Sequence, residues 1–466
     1  MSEPVTFLSR AEALIGTPEA EAVERGVKKF ADRRDVAVAE FPMMDELRDR
    51  SRAIRLHALR NLDRLLAHFA DQVHSQGGVV HWAGDAAEAN DIVVSILRGT
   101  EAHLVVKSKS MVSEEIEVND RLHDEGIKVV ETDLGEFIVQ LAGDTPSHII
   151  APVLHKTRQE IGELFARRLG AAYSEDPFEL NRIAREHLRE TFLRADAGIS
   201  GVNLAVAETG SLVLVTNEGN GRLITTAPRV HIALMGMERI VSRWQDAAVV
   251  LETLARSATG QRHASYTNVI TGPRRSDDPD GPEELHVVII DNGRADILSG
   301  STAEILACIR CGACLNVCPV FRTAGGHAYG SVYSGPMGAI VTPGLHGMDP
   351  WWELPYASTL CGACEEVCPV RIQIPRMLLE LRRQAAAEGR LPGWLEKGMS
   401  RYAKTASDPR RWARAKRWAS RLSAPVATRG WISRLPGPGR GWTASRDLPK
   451  PAKESFNDWW RANRGT

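Results

Sequence analysis

From residue 59 to residue 73 the apolar side chains Leu59, Leu62, Leu66, Phe69 and Val73 recur in steps of three and four. That spacing puts them on one face of a helix, which Gly77-Gly78 ends. The period then changes. VVHWA (79–83), HLVVKS (103–108), IKVVET (127–132) and SHIIAP (147–152) are short β-branched runs that predict strands. DAAEANDIVVSILRG (85–99), EEIEVNDRLHDEG (114–126) and EFIVQLAG (136–143) lie between them and predict helices. Two helical stretches follow, near 155–169 and 177–196. NLAVAETGSLVLVTNEGNGRLIT (203–225), RVHIALMG (229–236) and ELHVVIID (284–291) then turn β-rich. Alternating strands and helices predict a parallel sheet covered by helices, an α/β domain over 70–297. Residues 1–69 form a helical lead-in whose first 45 or so residues look polar and loosely structured. A second domain is expected over 298–385. Beyond it, 386–466 is rich in Pro, Gly, Arg and Trp. SRLPGPGRGWTASRDLPKP (433–451) excludes a long helix or a central strand, so this tail is expected to be irregular or partly disordered.

The chain has 466 residues, 43% of them hydrophobic, enough for packed cores. No apolar run approaches the ~18 residues of a membrane span, and the N-terminus lacks signal-peptide character. A cytoplasmic protein is expected. The net charge of −1 hides an asymmetry. From Leu381 onward there are 20 Lys+Arg against 6 Asp+Glu, a net of +14, with seven of the eleven Trp; before it the balance is 38 against 53, a net of −15.

All seven cysteines lie between Cys308 and Cys368. Such clustering points to metal rather than to a disulfide framework. CIRCGACLNVCPVF holds Cys308, Cys311, Cys314 and Cys318 followed by Pro319, the complete C-x2-C-x2-C-x3-C-P run of bacterial ferredoxins. STLCGACEEVCP repeats it with Cys361, Cys364, Cys368 and Pro369, but has Ser358 where the first cysteine would stand. In two-cluster ferredoxins the fourth cysteine of each run serves the other cluster. Carried over, Cys308, Cys311, Cys314 and Cys368 hold cluster 1, a [4Fe–4S]. Cys318, Cys361 and Cys364 hold cluster 2, with one corner facing Ser358. Zinc is the bland alternative. That corner allows three outcomes: serine oxygen on iron, water or substrate on the open iron of a [4Fe–4S], or an empty corner, leaving [3Fe–4S]. Thiolate is the softer and stronger iron ligand. The iron–sulfur subunits of fumarate reductases are similar, although their vacancy falls at the position of Cys361. His327 and His346, between the runs, are further candidates for the missing ligand.

GISGVNLAVAETGSLVLVTNEGNGRLITTAPRVHIALMGMERIV (198–241) and VVKSKSMVSEEI (105–116) resemble the signature of lactate-utilisation (LUD) domains. With the two cysteine runs, YSGPMGAI (333–340) between them, and LPKP and FNDWW near the end, the chain is similar to the LutB-type iron–sulfur proteins of bacterial L-lactate utilisation. The resemblance implies a fold related to the sugar-phosphate isomerase and CoA-transferase group (NagB/RpiA/CoA-transferase-like). It also implies electron transfer in the oxidation of L-lactate to pyruvate beside a LutA-type cysteine-rich subunit and a LutC-type LUD protein. Two electrons leave the 2-hydroxy acid and no flavin or nicotinamide signature is visible, so an electron relay is expected rather than the sole catalyst. Catalytic candidates are Glu208, in a Gly turn before a strand, and Lys107 and Lys109, at the end of a parallel strand where α/β sheets place ligands. TNEGNGR (216–222) is a Gly/Asn loop able to cradle an anion, or a plain hairpin. The competing readings are a subunit of a glycolate-type oxidase and a LUD transferase or isomerase regulated by its clusters. Nucleic-acid binding through the Arg/Trp tail is the weakest of them, since the acidic body offsets the charge.

Overall fold

The computed structural model describes residues 6–423 and 425–464. The chain divides into two compact units, 1–384 and 385–466.

The first unit opens with four helices, α1 (Phe7–Leu14), α2 (Pro18–Ala39), α3 (Met44–Arg60) and α4 (Leu62–Ser75). The α/β region then runs β1 (Val79–Ala83), α5 (Ala86–Gly99), β2 (Leu104–Lys107), α6 (Met111–Glu115), α7 (Val118–Asp124), β3 (Lys128–Glu131), α8 (Leu134–Ala142), α9 (Arg158–Leu169) and α10 (Pro177–Arg194). It continues with β4 (Ala197–Gly201), β5 (Leu204–Val206), β6 (Ser211–Thr216), α11 (Asn220–Thr226), β7 (Val230–Gly236), β8 (Ile240–Val241), α12 (Trp244–Thr259), β9 (Tyr266–Ile270), β10 (Glu284–Ile290) and α13 (Arg294–Ser299). The cysteine region holds α14 (Ala313–Val317), α15 (Pro319–Ala324), α16 (Gly335–His346), α17 (Met348–Trp351), α18 (Ala363–Glu366) and α19 (Ile374–Ala387).

Six strands form a parallel sheet in the order β1-β10-β7-β4-β2-β3. Its central strands β2, β4, β7 and β10 are mostly buried because both faces are covered, whereas the edge strands β1 and β3 are only partly so. Period-two alternation sorts them. Ile232, Leu234, Val288 and Ile290 pack toward Val93 and Leu97 of α5 and Leu122 of α7. Ala233, Met235, Val287 and Ile289 pack toward Leu62, Leu66, Phe69 and Val73 of α4. A second sheet, β8-β5-β6-β9, lies on this latter side and adds Ala205, Leu212, Leu214 and Ile240 to the same core.

Several local expectations change. The predicted helix face around α4 is buried throughout, but the helix breaks at Asn61. The lead-in is helical from Phe7, not loosely structured. Ala20, Val23, Val27, Ala31 and Arg34 make a narrow buried stripe on α2, which packs on α12, α14 and α15. Small alanines carry that stripe, so the segment reads as polar. SHIIAP is no strand: Ser147 N–H bonds to Pro152 O, and His148 Nδ1 accepts from the N–H groups of Ile150 and Ala151. Those local bonds displace ladder pairing. The helix expected over 114–126 is split by Glu117, whose φ is +54°. TNEGNGR is neither hairpin nor open loop, since it runs into α11.

The second unit is not irregular throughout. It contains α20 (Gly393–Ala406), α21 (Pro409–Ser423) and α22 (Phe456–Asn463). The strands β11 (Trp431–Ile432) and β12 (Leu448–Pro449) pair antiparallel around the Pro/Gly-rich stretch. The rings of Tyr402 and Trp412 meet edge to face at 5.9 Å and join α20 to α21. On α21, Trp418 and Leu422 stay exposed among Arg411, Arg414, Arg417 and Arg421.

A buried ionic chain locks the sheet to the cysteine region. Arg294, fully buried, forks onto Glu115 through Nη1 and Nη2 at 2.8 and 2.7 Å and donates Nε to Glu238 at 2.7 Å. Tyr333 donates its hydroxyl to Glu115 at 2.6 Å, and Arg310 Nη2 lies 3.7 Å from Glu238. Burial opposes ionisation of Glu238, but Arg294, Arg239 and Arg310 outweigh it and hold the carboxyl down at about 2. Its stabilising contribution is therefore complete above the ordinary glutamate range and is lost as pH falls toward 2. Removing one partner of such a set leaves a buried unpaired charge. Arg294→Ala is expected to cost about 3–5 kcal/mol, and Tyr333→Phe about 1.5–3 kcal/mol, measured as shifts in the urea midpoint at neutral pH. An unchanged midpoint in Arg294→Ala would show that the chain carries no stability.

Candidate metal centre

The two cysteine runs fold alike. Each contains Cys-Gly-Ala-Cys, at 311–314 and 361–364. Gly312 and Gly362 adopt φ of +75° and +86°, which glycine reaches at little cost. The residues before those cysteines, Arg310 and Leu360, take φ of +58° and +56°. A non-glycine residue there is uncommon, and the same choice recurs in both runs. One turn of helix follows, α14 or α18, and sets the next thiol. Cys318 then caps α15, with Pro319 at its first position.

The runs interleave. Cys308, Cys311 and Cys314 line one cavity with Cys368 of the other run, walled by Ile305, Ile309, Met337, Ile372 and Ile374. Cys318 sits instead beside Cys361 and Cys364. Burial pushes the Cys364 thiol up to about 12, with Cys318 adding to the effect. Burial raises Cys368 to about 11, against the pull of the Ile372 N–H. Cys361 is exposed, and hydrogen bonds from Ala363 N–H and then Thr359 hold it below the usual thiol range. Ile372 N–H donates to Cys368 Sγ and Arg310 N–H to Cys308 Sγ, each at 3.4 Å.

Guanidinium groups surround the cavity. Arg239 donates to Cys308 O at 3.5 Å and Arg48 to Cys368 O at 3.1 Å, while Arg34 donates to Val367 O at 3.2 Å. Arg55 is fully buried and donates to the carbonyls of Ile240 and Leu306. Arg310 lies 4.4 Å over the Tyr333 ring, and its Nε and that of Arg34 meet no acceptor among the described residues. Buried cations in excess of Glu115 and Glu238 suit an anionic occupant. Four convergent thiols, apolar walls and this positive surround fit a thiolate-bound iron–sulfur cluster better than an empty core.

The other expected site residues fall elsewhere. His327 is committed, with Nδ1 to Glu19 at 2.6 Å and Nε2 to Thr145 O at 2.8 Å. His346 is exposed with its ring near Trp351. Neither points to the missing ligand. Ser358 Oγ accepts from Leu360 N–H at 3.1 Å. Lys107 is fully buried and bridges Glu114 and Glu131 at 2.6 and 2.7 Å, so it is not the free docking cation expected. Burial disfavours its charge, but Glu131 and Glu114 outweigh that and hold the ammonium above its ordinary range. Lys109 donates to Ile150 O at 2.6 Å. Glu208 is exposed and accepts from Trp244 N–H at the start of α12, a capping role rather than a site carboxylate.

Sequence reasoning missed the carboxylates that gather near Lys109. Burial, then Glu131 and Glu114, raise Glu136 to about 8. Burial, then Asp133, raise Glu218 to about 7. Glu131 ends β3 and Glu136 opens α8, so they lie at the carboxyl edge of the sheet. The signal was their place after an apolar strand, the position read only for Lys107 and Lys109. Residues 148–150 connect this edge to the first cysteine run. His148 Nε2 bonds Asn316 Oδ1 at 3.1 Å, and Ile149 lines the thiol cavity.

Comparison with known proteins matches the chain in three successive segments. Residues 66–290 match the LUD domain, 304–372 the 4Fe-4S dicluster domain, and 391–464 the C-terminal domain of lactate utilisation protein B. Lactate utilization protein B of Shouchella clausii is 46% identical over 95% of this chain and 94% of its own length. That of Bacillus subtilis is 46% identical over 96% of this chain and 93% of its own. A DUF162 family protein of Deinococcus radiodurans, solved by crystallography, aligns with 49% of this chain and 98% of its own at 15% identity and a TM-score of 0.28. With three successive domain matches and such identity along nearly its whole length, the chain belongs to the lactate utilization protein B family.

Proposed function

We propose that this chain is the iron–sulfur electron-transfer component of a cytoplasmic complex that oxidises L-lactate to pyruvate, together with LutA-type and LutC-type subunits. One observation carries the reading: two interleaved thiol sets, one walled in against the α/β region and the other reaching the surface at Cys361. Cys308, Cys311, Cys314 and Cys368 would hold the first cluster; Cys318, Cys361 and Cys364 would hold the second. Such clusters supply one-electron redox chemistry.

The chain's own residues set the conditions for it. Ile305, Ile309, Met337, Ile372 and Ile374 exclude water from the first thiol set. The N–H groups of Arg310 and Ile372 aim at its sulfurs, and hydrogen bonds to sulfur tune cluster potential. Arg48, Arg55, Arg239 and Arg310 offset negative charge that burial would otherwise penalise. At the carboxyl edge, burial pushes Glu136 up to about 8 and Glu218 up to about 7, with Lys109 opposing both.

The interleaving makes a specific prediction. Cys368→Ala and Cys308→Ala, although in different runs, should each lose about four irons per chain and abolish the same reduced-state EPR signal. Cys318→Ala and Cys364→Ala should abolish the other signal. If Cys368→Ala instead matches Cys364→Ala, the interleaved assignment is wrong. In a host whose L-lactate oxidation depends on this system, deletion of the gene should stop growth on L-lactate, with complementation restoring it. Undiminished growth with no second lactate dehydrogenase would overturn the functional reading.

A further inference from the structure

The first run opens on a backbone device. Cys308 Sγ accepts a hydrogen bond from Arg310 N–H at 3.4 Å. The donor is two residues on, the geometry of a chain wrapping around the atom that its side chain presents. Ser358 does the same: its Oγ accepts from Leu360 N–H at 3.1 Å. Taken alone this is an ordinary serine turn. Three further matches between residues 308 and 358 separate it from one. Arg310 and Leu360 share the same uncommon left-handed backbone, with φ of +58° and +56°. Each is followed by Cys-Gly-Ala-Cys with its glycine also left-handed. Each carbonyl is held by an arginine, Cys308 O by Arg239 at 3.5 Å and Ser358 O by Arg382 at 2.9 Å. The second run thus has the wrapping geometry of Cys308 at a position that carries a hydroxyl in place of a thiol.

We propose that Ser358 Oγ is the fourth protein ligand of the second cluster, binding as alkoxide the iron corner that Cys318, Cys361 and Cys364 leave open. The inference rests on the two-cluster reading above. Ligation forms one Oγ–Fe bond, breaks the Oγ–H bond and releases that proton to solvent, which reaches half-buried Ser358 and exposed Cys361. No electron is transferred. A hard oxygen donor binds iron less tightly than thiolate, so this corner is the most labile of the eight and lies at the exposed end of the centre.

The test uses the full-length protein loaded anaerobically with isotopically enriched iron, read by Mössbauer spectroscopy and by the rate of iron loss to a chelator. Wild-type protein should hold about eight irons, one of them in a site distinct from the thiolate-bound irons. Ser358→Ala should lose about one iron at least tenfold faster and give a three-iron signal. Ser358→Cys should keep all its iron and lose the distinct site. If Ser358→Ala keeps that site and its iron at the wild-type rate, water or another ligand holds the corner and the proposal falls. A wild-type second cluster with only three irons overturns it as well. If wild type and every variant lack a second cluster altogether, the two-cluster reading itself is wrong.

Discussion

Glu115, Arg294 and Glu238 cannot be buried separately. Each charge is out of water and stable only with the others in place. Glu115 belongs to α6, Arg294 to α13, and Glu238 follows β7, so the set closes only when the parallel sheet has formed. It is completed from the cysteine region by Tyr333 and Arg310. Arg310 lies between Cys308 and Cys311, which means the same contacts that join sheet to connector also orient the first run. The thiol cavity is therefore a product of the α/β fold rather than an appendage to it.

Charge explains the surroundings of that cavity. Arg34, Arg48, Arg55, Arg239 and Arg310 crowd an interior where each guanidinium needs an anionic counterpart or strong acceptors. Backbone carbonyls and the carboxylates of Asp35, Asp45 and Glu238 satisfy part of the demand, and an anionic thiolate-bound cluster would satisfy the remainder. The second thiol set lies in a wetter place, with Cys361 exposed. One thiol set is thus shielded beside the sheet and the other lies near the surface.

Much of this was legible in the sequence, for physical reasons that differ by element. Leu62, Leu66, Phe69 and Val73 repeat at helical spacing and are all buried. The central parallel strands were visible because covering on both faces makes them mostly apolar. The α2 stripe was hidden because Ala20 and Ala31 bury little area and leave the segment polar on average. SHIIAP has strand composition, but His148 bonds its own backbone, a choice made by local geometry that no periodicity reports. The second sheet was missed because β5 and β8 span only three and two residues. Among site residues, the cysteines were legible from spacing alone. Lys107 was placed at the right edge, but its partners Glu114 and Glu131 come from α6 and β3, contacts that only the folded chain makes.

The central claim is that electrons from L-lactate pass through this chain. The direct measurement is freeze-quench EPR on the complete complex mixed anaerobically with L-lactate. The account predicts reduced-cluster signals from this chain within a single turnover, and loss of pyruvate formation in Cys368→Ala. Pyruvate formed at the full rate while both clusters stay oxidised, or undiminished turnover in Cys368→Ala, would contradict it.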